Sequence, residues 1–165
     1  MHGHRRRARG LTLIEILIAV AVLGILAALA LPDLGQRMAR HRLAAAAETL
    51  ALDLAEARVE AAQAGPLYLV FDRRADWCYA VARNPRCGCS GAEACQIKVV
   101  RATDTPGVQL ATAEDALFDG ATLPVAGGQV LLRGAGGVET LQVGLSPLGR
   151  PRVCSPSGMK GYPGC

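Results

Sequence analysis

Two stretches of this 165-residue chain set chemically capable side chains at telling positions. The first is Glu15, five residues into an otherwise apolar run, Leu11 to Leu31 (LTLIEILIAVAVLGILAALAL). At mid-membrane a carboxylate costs about 2.5–3.5 kcal/mol on insertion scales, and less near the interface, so it calls for a partner. An amine is the obvious partner. A chain cut after Gly10 would carry a new α-amino group on Leu11, one turn from Glu15, and a neighbouring subunit's amine could lie closer in a bundle. The second stretch is Gly149-Arg150-Pro151-Arg152. If extended, it projects both arginines to one side, about 6.6 Å apart. Pro151 fixes its own backbone and biases Arg150 toward an extended form. The planar guanidinium fork binds phosphate oxygens bidentately, so such a pair could bridge neighbouring phosphates on one nucleic-acid strand.

The surroundings of the arginine pair are basic. From Thr140 to the end there is no acid, and Arg150, Arg152 and Lys160 are the only charged side chains. Tyr162 could add base stacking. The competing reading is a charged strand edge, which discourages unwanted strand pairing.

Six cysteines, Cys78, Cys87, Cys89, Cys95, Cys154 and Cys165, all follow the apolar run. An even count in an exported domain suggests disulfides and an oxidising compartment. A Cys87–Cys89 bridge would be strained, since one residue separates them. Each is therefore expected to pair with Cys78 or Cys95, in an order left open. Cys154 and Cys165 would close a terminal loop, a clamp of roughly 3 kcal/mol in the chain-entropy model. Zinc fits poorly, because Cys-x8-Cys-x-Cys-x5-Cys lacks paired knuckles. No cofactor or metal is expected. His2, His4 and His41 lie in the leader and the helix, which leaves the exported part without a Ser/His/Asp or Cys/His arrangement. Glu114 and Asp115 read as a solvated turn. The chain is read as no enzyme.

The elements that must position these residues follow from periodicity. Leu11 to Leu31 is 21 residues. At about 1.5 Å per residue it spans about 31 Å as a helix, against a bilayer core of about 30 Å. The basic flank, MHGHRRRARG, should stay cytoplasmic. A cleaved secretory signal fits less well, because the run exceeds the usual h-region and no small-x-small site follows. Pro32 is expected to kink or interrupt the helix. An apolar stripe resumes at Leu43, Ala47, Leu50, Leu54, Ala57 and Ala61, with Arg42, Glu48, Asp53, Glu56, Arg58 and Glu60 mostly off it. Gly65-Pro66 ends it. Short strands are read at Leu67 to Asp72, Trp77 to Ala82, Gln96 to Arg101, Gln129 to Arg133 and Val138 to Leu145, with Gly134 to Gly137 as a turn. The fold class expected is α+β: a long N-terminal helix on a C-terminal antiparallel β domain.

The net charge of +4 excludes little. Four of the 18 Lys and Arg residues fall in residues 1–10, so the remainder carries 14 against 14 Asp and Glu. Overall basicity is thus no sign of nucleic-acid binding, and any basic surface must be local.

Gly10-Leu11-Thr12-Leu13-Ile14-Glu15, after a basic leader, resembles the type IV pilin signature. One residue departs: Leu11 stands where the family usually has Phe. The resemblance implies a prepilin peptidase cutting after Gly10 and methylating the new N-terminus. It also implies a pilin fold, an inner-membrane subunit with its C-terminal domain in the periplasm, and other pilins as filament partners. The chain then divides into a leader at 1–10, a transmembrane and assembly helix at 11–31, an amphipathic half-helix at 32–64 and a periplasmic β domain at 65–165. The Gly-Arg-x-Arg motif followed by Cys154 and the terminal Gly161-Tyr162-Pro163-Gly164-Cys165 resembles the FimT branch of the GspH/FimT minor pilins. That likeness implies DNA binding during natural transformation, carried by Gly149, Arg150 and Arg152, with Lys160 added from charge. The alternatives are a structural minor pseudopilin of a type II secretion system, close to GspH, and a pilus-initiation subunit that does not bind DNA.

Overall fold

The computed structural model describes residues 12–119, 127–146 and 149–165, and within the helix it leaves the side chains of 29–33 undescribed. The leader, with Gly10 and Leu11, lies outside the described residues, as do Pro147 and Leu148. Two compact units divide the chain, Met1–Arg37 and Met38–Cys165, and helix α1, Leu13–Ala64, contributes to both.

In the first unit α1 is apolar all round. Every large apolar side chain described from Leu13 to Leu26 is at least 50% exposed. A helix of this kind is stable only when lipid or protein covers it. Among the described residues no helix is long and apolar enough to cross a membrane; the apolar run extends beyond them at Leu11 and at residues 29–31. The interruption expected at Pro32 does not occur, since α1 is continuous through it. Proline removes one donor, but its fixed φ is close to the helical value and the helix continues on both sides of it.

In the second unit the six stripe residues, Leu43 to Ala61, are all buried. They meet two four-stranded antiparallel sheets. The first sheet runs in the order β3-β2-β1-β5, with β1 Leu67–Asp72, β2 Cys78–Ala82, β3 Gln96–Arg101 and β5 Ala116–Phe118. The second runs β4-β6-β7-β8, with β4 Gln109–Ala113, β6 Val130–Arg133, β7 Thr140–Leu145 and β8 Pro151–Cys154. Leu67, Leu69 and Phe71 of β1, with Tyr79 and Val81 of β2, join Val130, Leu132, Leu141 and Val143 of the second sheet in one core under α1. β2 is buried throughout, because Cys78, Ala80 and Cys89 form a small cluster on its other face. The first sheet is therefore covered on both sides at β2, whereas the outer face of the second sheet is half-buried to exposed.

The α+β expectation holds, with one refinement: the strands split into two sheets. β7 starts two residues later than expected. Residues before it close a hairpin in which Gly137 N–H donates to Gly134 O at 2.9 Å and Gly134 N–H to Glu139 O at 3.0 Å. β4 and β5 were not expected. QLATA and ALF carry weak strand signals, and they are strands because β6 and β1 offer them open edges.

Candidate assembly segment and candidate nucleic-acid interface

Glu15 sits in the first turn of α1. Its Oε2 accepts from the Thr12 backbone N–H at 3.5 Å, and Thr12 Oγ1 accepts from the Glu15 N–H at 3.3 Å. This reciprocal pair is a capping box, which satisfies two of the donors that a helix start leaves open. Thr12-x-x-Glu15 is legible in the sequence, but the apolar context drew attention to the charge alone. The carboxylate thus points back toward the chain's N-terminal side.

The Gly-Arg-Pro-Arg segment leads into β8, which begins at Pro151. Gly149 N–H donates to Ser146 O at 2.7 Å, Arg150 N–H to Ser146 Oγ at 3.1 Å, and Ser146 N–H to Arg150 O at 2.9 Å. Gly149 has φ 69°, in the left-handed region that favours glycine, so the chain can turn there without strain. Arg150 is exposed just before β8. Arg152 is exposed on β8 itself, opposite Gly144, at the edge of the second sheet. Neither arginine, nor Lys160, has an ion pair or side-chain hydrogen bond among the described residues. Unpaired guanidinium groups on an edge keep their full donor set for an external anion.

Three supports hold this edge. Cys154 is bonded to Cys165, which closes the terminal loop two residues after Arg152 on β8. Within that loop Met159 is buried, and Ser155 Oγ donates to Thr140 O at 3.0 Å. Tyr162 packs partly against the core and donates its Oη to Glu48 Oε1 on α1 at 2.5 Å. That hydrogen bond engages the Tyr162 hydroxyl and leaves the ring half-buried. The third support is Arg58 of α1, whose Nη1 lies 3.5 Å from Gly149 O. Arg58 lies off the apolar stripe as expected and is exposed, but its approach to Gly149 is not legible in the sequence, because nothing local links residues 58 and 149.

The other four cysteines form Cys78–Cys89 and Cys87–Cys95. Glu93 has a carboxylate oxygen near Cys87 and Cys95, but both sulfurs belong to one disulfide and are not thiolate ligands. Asp115 accepts from the Phe71 backbone N–H at 3.0 Å and so supports β1. An internal cavity beside Leu50, Trp77, Tyr79 and Thr105 has a volume of about 20 Å³, room for about one water.

Asp53 was placed off the apolar stripe, yet it is only 2% exposed. Tyr79 Oη donates to its Oδ2 at 2.7 Å, and Lys98 pairs with its Oδ1. Burial, with the Asp53 carboxylate second, pushes the Tyr79 hydroxyl far above its ordinary pKa. The spacing did contain the hint, since Asp53 follows Leu50 by three positions and so shares its face.

Residues 5–31 match the family model of the prokaryotic N-terminal methylation motif, which takes in Gly10, Leu11 and Glu15. No curated protein matches the chain. No solved structure matches it.

Proposed function

We propose that this chain, whose prepilin-type methylation motif supports a type IV pilin-like or pseudopilin subunit, is a minor pilin of the GspH/FimT kind that binds DNA through its C-terminal edge. The motif implies processing by a prepilin peptidase and assembly with other pilins. In the proposed account cleavage follows Gly10, the helix from Leu11 to Leu31 is the single span of the inner membrane, and the β domain lies in the periplasm before assembly. Glu15 then meets the new amine of Leu11, its own or a neighbour's, inside the filament. Lipid or sister helices would cover the exposed apolar side chains of the first unit.

The observation that carries DNA binding is the unpaired, exposed pair Arg150 and Arg152 on a strand edge braced by Cys154–Cys165. Preorganised cations lose little entropy on contact, and phosphate contact needs no base recognition. With Lys160, about three contacts are available, so log affinity should fall against log salt with a slope of roughly −2 to −3. The test compares the chain in neutral detergent micelles with its Arg150→Ala, Arg152→Ala double variant, both carrying Ala at Arg5, Arg6, Arg7 and Arg9 to silence the leader. Binding should drop strongly in the double variant. Equal binding by the two proteins would remove this edge from the function. A chain that enters a filament but binds no DNA at any salt is instead a structural pseudopilin or an initiation subunit.

A further inference from the structure

Resting on the DNA reading above, we infer that the outer face of the second sheet extends the DNA-binding edge and that Arg133 is a further phosphate contact beyond Arg150, Arg152 and Lys160. Directly opposed residues of antiparallel strands point to the same face. On β6 Val130 and Leu132 are buried while Arg133 is exposed. On β7 Leu141 and Val143 are buried. The partners Thr140↔Arg133, Gln142↔Leu131, Gly144↔Arg152 and Gln109↔Arg133 therefore share the outer face. Arg152 and Arg133 thus stand on one surface, separated by the uncharged residues Thr140, Gln142, Gly144, Leu131 and Cys154.

Charge selects the occupant. The four strands place no carboxylate on this face among the described residues. Glu114 follows β4 at the far edge, and Glu139 precedes β7 and is paired with Arg40 at 2.6 Å. Arg133 has no ion pair or side-chain hydrogen bond among the described residues. Cysteine-linked residues cover the outer side of β2 in the first sheet; on the second, the Cys154–Cys165 disulfide lies on the outer face beside Gln142, and Arg133 and Arg152 remain exposed.

Spacing suits a duplex. Arg133 lies two strands and four residues from Arg152, about 16 Å between Cα positions at about 4.8 Å per strand and about 3.3 Å per residue. Gly144 has no side chain to intervene beside Arg152, and Gln142 Nε2 donates to Gln129 Oε1 at 3.3 Å. A duplex carries about one charge per 1.7 Å of axis, so two arginines at this separation meet different phosphates of the same molecule. Among the described residues the four strands of this face carry no aromatic side chain, so unpaired bases find no platform there to stack on. Duplex is therefore the preferred form.

The experiment titrates a short labelled duplex of mixed sequence with the full chain in neutral micelles, using the leader-silenced background. The arms are the parent, Arg133→Ala, Arg133→Gln, Arg133→Lys, Arg86→Ala and the Arg150/Arg152 double variant, with circular dichroism confirming each fold. Loss of one duplex phosphate contact should reduce the salt sensitivity between about 50 and about 200 mM by about 3.5-fold. Arg133→Ala and Arg133→Gln should show that reduction, Arg133→Lys should retain parental behaviour, and Arg86→Ala, which removes the same charge elsewhere, should do nothing. If Arg133 variants match the parent while the double variant loses binding, the extended face is wrong and the edge survives. If the double variant also matches the parent, the DNA reading itself fails. Equal weakening by Arg86→Ala would reduce the effect to net charge, and tighter binding of a single strand than of duplex would refute the backbone-only surface.

Discussion

Tyr162 ties the C-terminal loop to α1 through one hydroxyl. Its loss of solvent, with the Glu48 carboxylate next in effect, pushes its pKa up to about 12 from the ordinary 10.0. A raised folded-state value favours the protonated folded form. The contribution is therefore complete below the unfolded pKa of about 10 and is lost as pH rises through about 12. Tyr162→Phe should lower the melting temperature at neutral pH, and the gap between parent and variant should close across that alkaline window. A gap that stays constant in pH-dependent melts would mean that the hydroxyl contributes nothing through Glu48. The same scale explains Gly149: a residue needing φ 69° beside Arg150 is held as glycine by backbone sterics as well as by any DNA role.

At the scale of elements, Asp53 joins α1 to β2 and β3. Its burial is tolerated because Tyr79 and Lys98 supply a hydrogen bond and an opposite charge. Lys98 is 44% exposed at its side chain and can turn to water when the partner is gone. Tyr79 cannot, because it is buried. Asp53→Ala should therefore cost about 1–3 kcal/mol, chiefly from the orphaned hydroxyl. Adding Tyr79→Phe should cost less in that background than in the parent, as read by chemical denaturation of all four proteins. Additive losses would show that the two side chains act independently.

For the whole molecule, the motif at residues 5–31 makes a covalent prediction. Protein recovered from cells should have a mass corresponding to a chain that starts at Leu11 with one added methyl group. Glu15→Ala should still be processed yet incorporate poorly into filaments, measured by comparing sheared filaments with the membrane fraction. Recovery with Met1 retained, or normal incorporation of Glu15→Ala, would contradict the proposed assembly. In the single chain Glu15 caps its own helix through Thr12. An incoming amine would therefore replace a weak 3.5 Å contact with a charged one.

Local order was legible without coordinates. The apolar run, the six-residue stripe on α1, the Gly65 stop and strands β1 and β3 follow from period and turn residues, which act over a few neighbours. The interruption expected at Pro32 is absent, because one missing donor is a smaller matter inside a 52-residue helix than in a short one. What required the tertiary structure was everything set by distant pairing. That includes the strand status of Gln109–Ala113 and Ala116–Phe118, the partners of Cys78, Cys87, Cys89 and Cys95, the burial of Asp53, and the approach of Arg58 to Gly149 across 91 positions. Arg133 and Arg152 belong to one face only because β6, β7 and β8 pair in a particular register. Register is a property of paired strands, and a one-residue slip would send every such side chain to the opposite side.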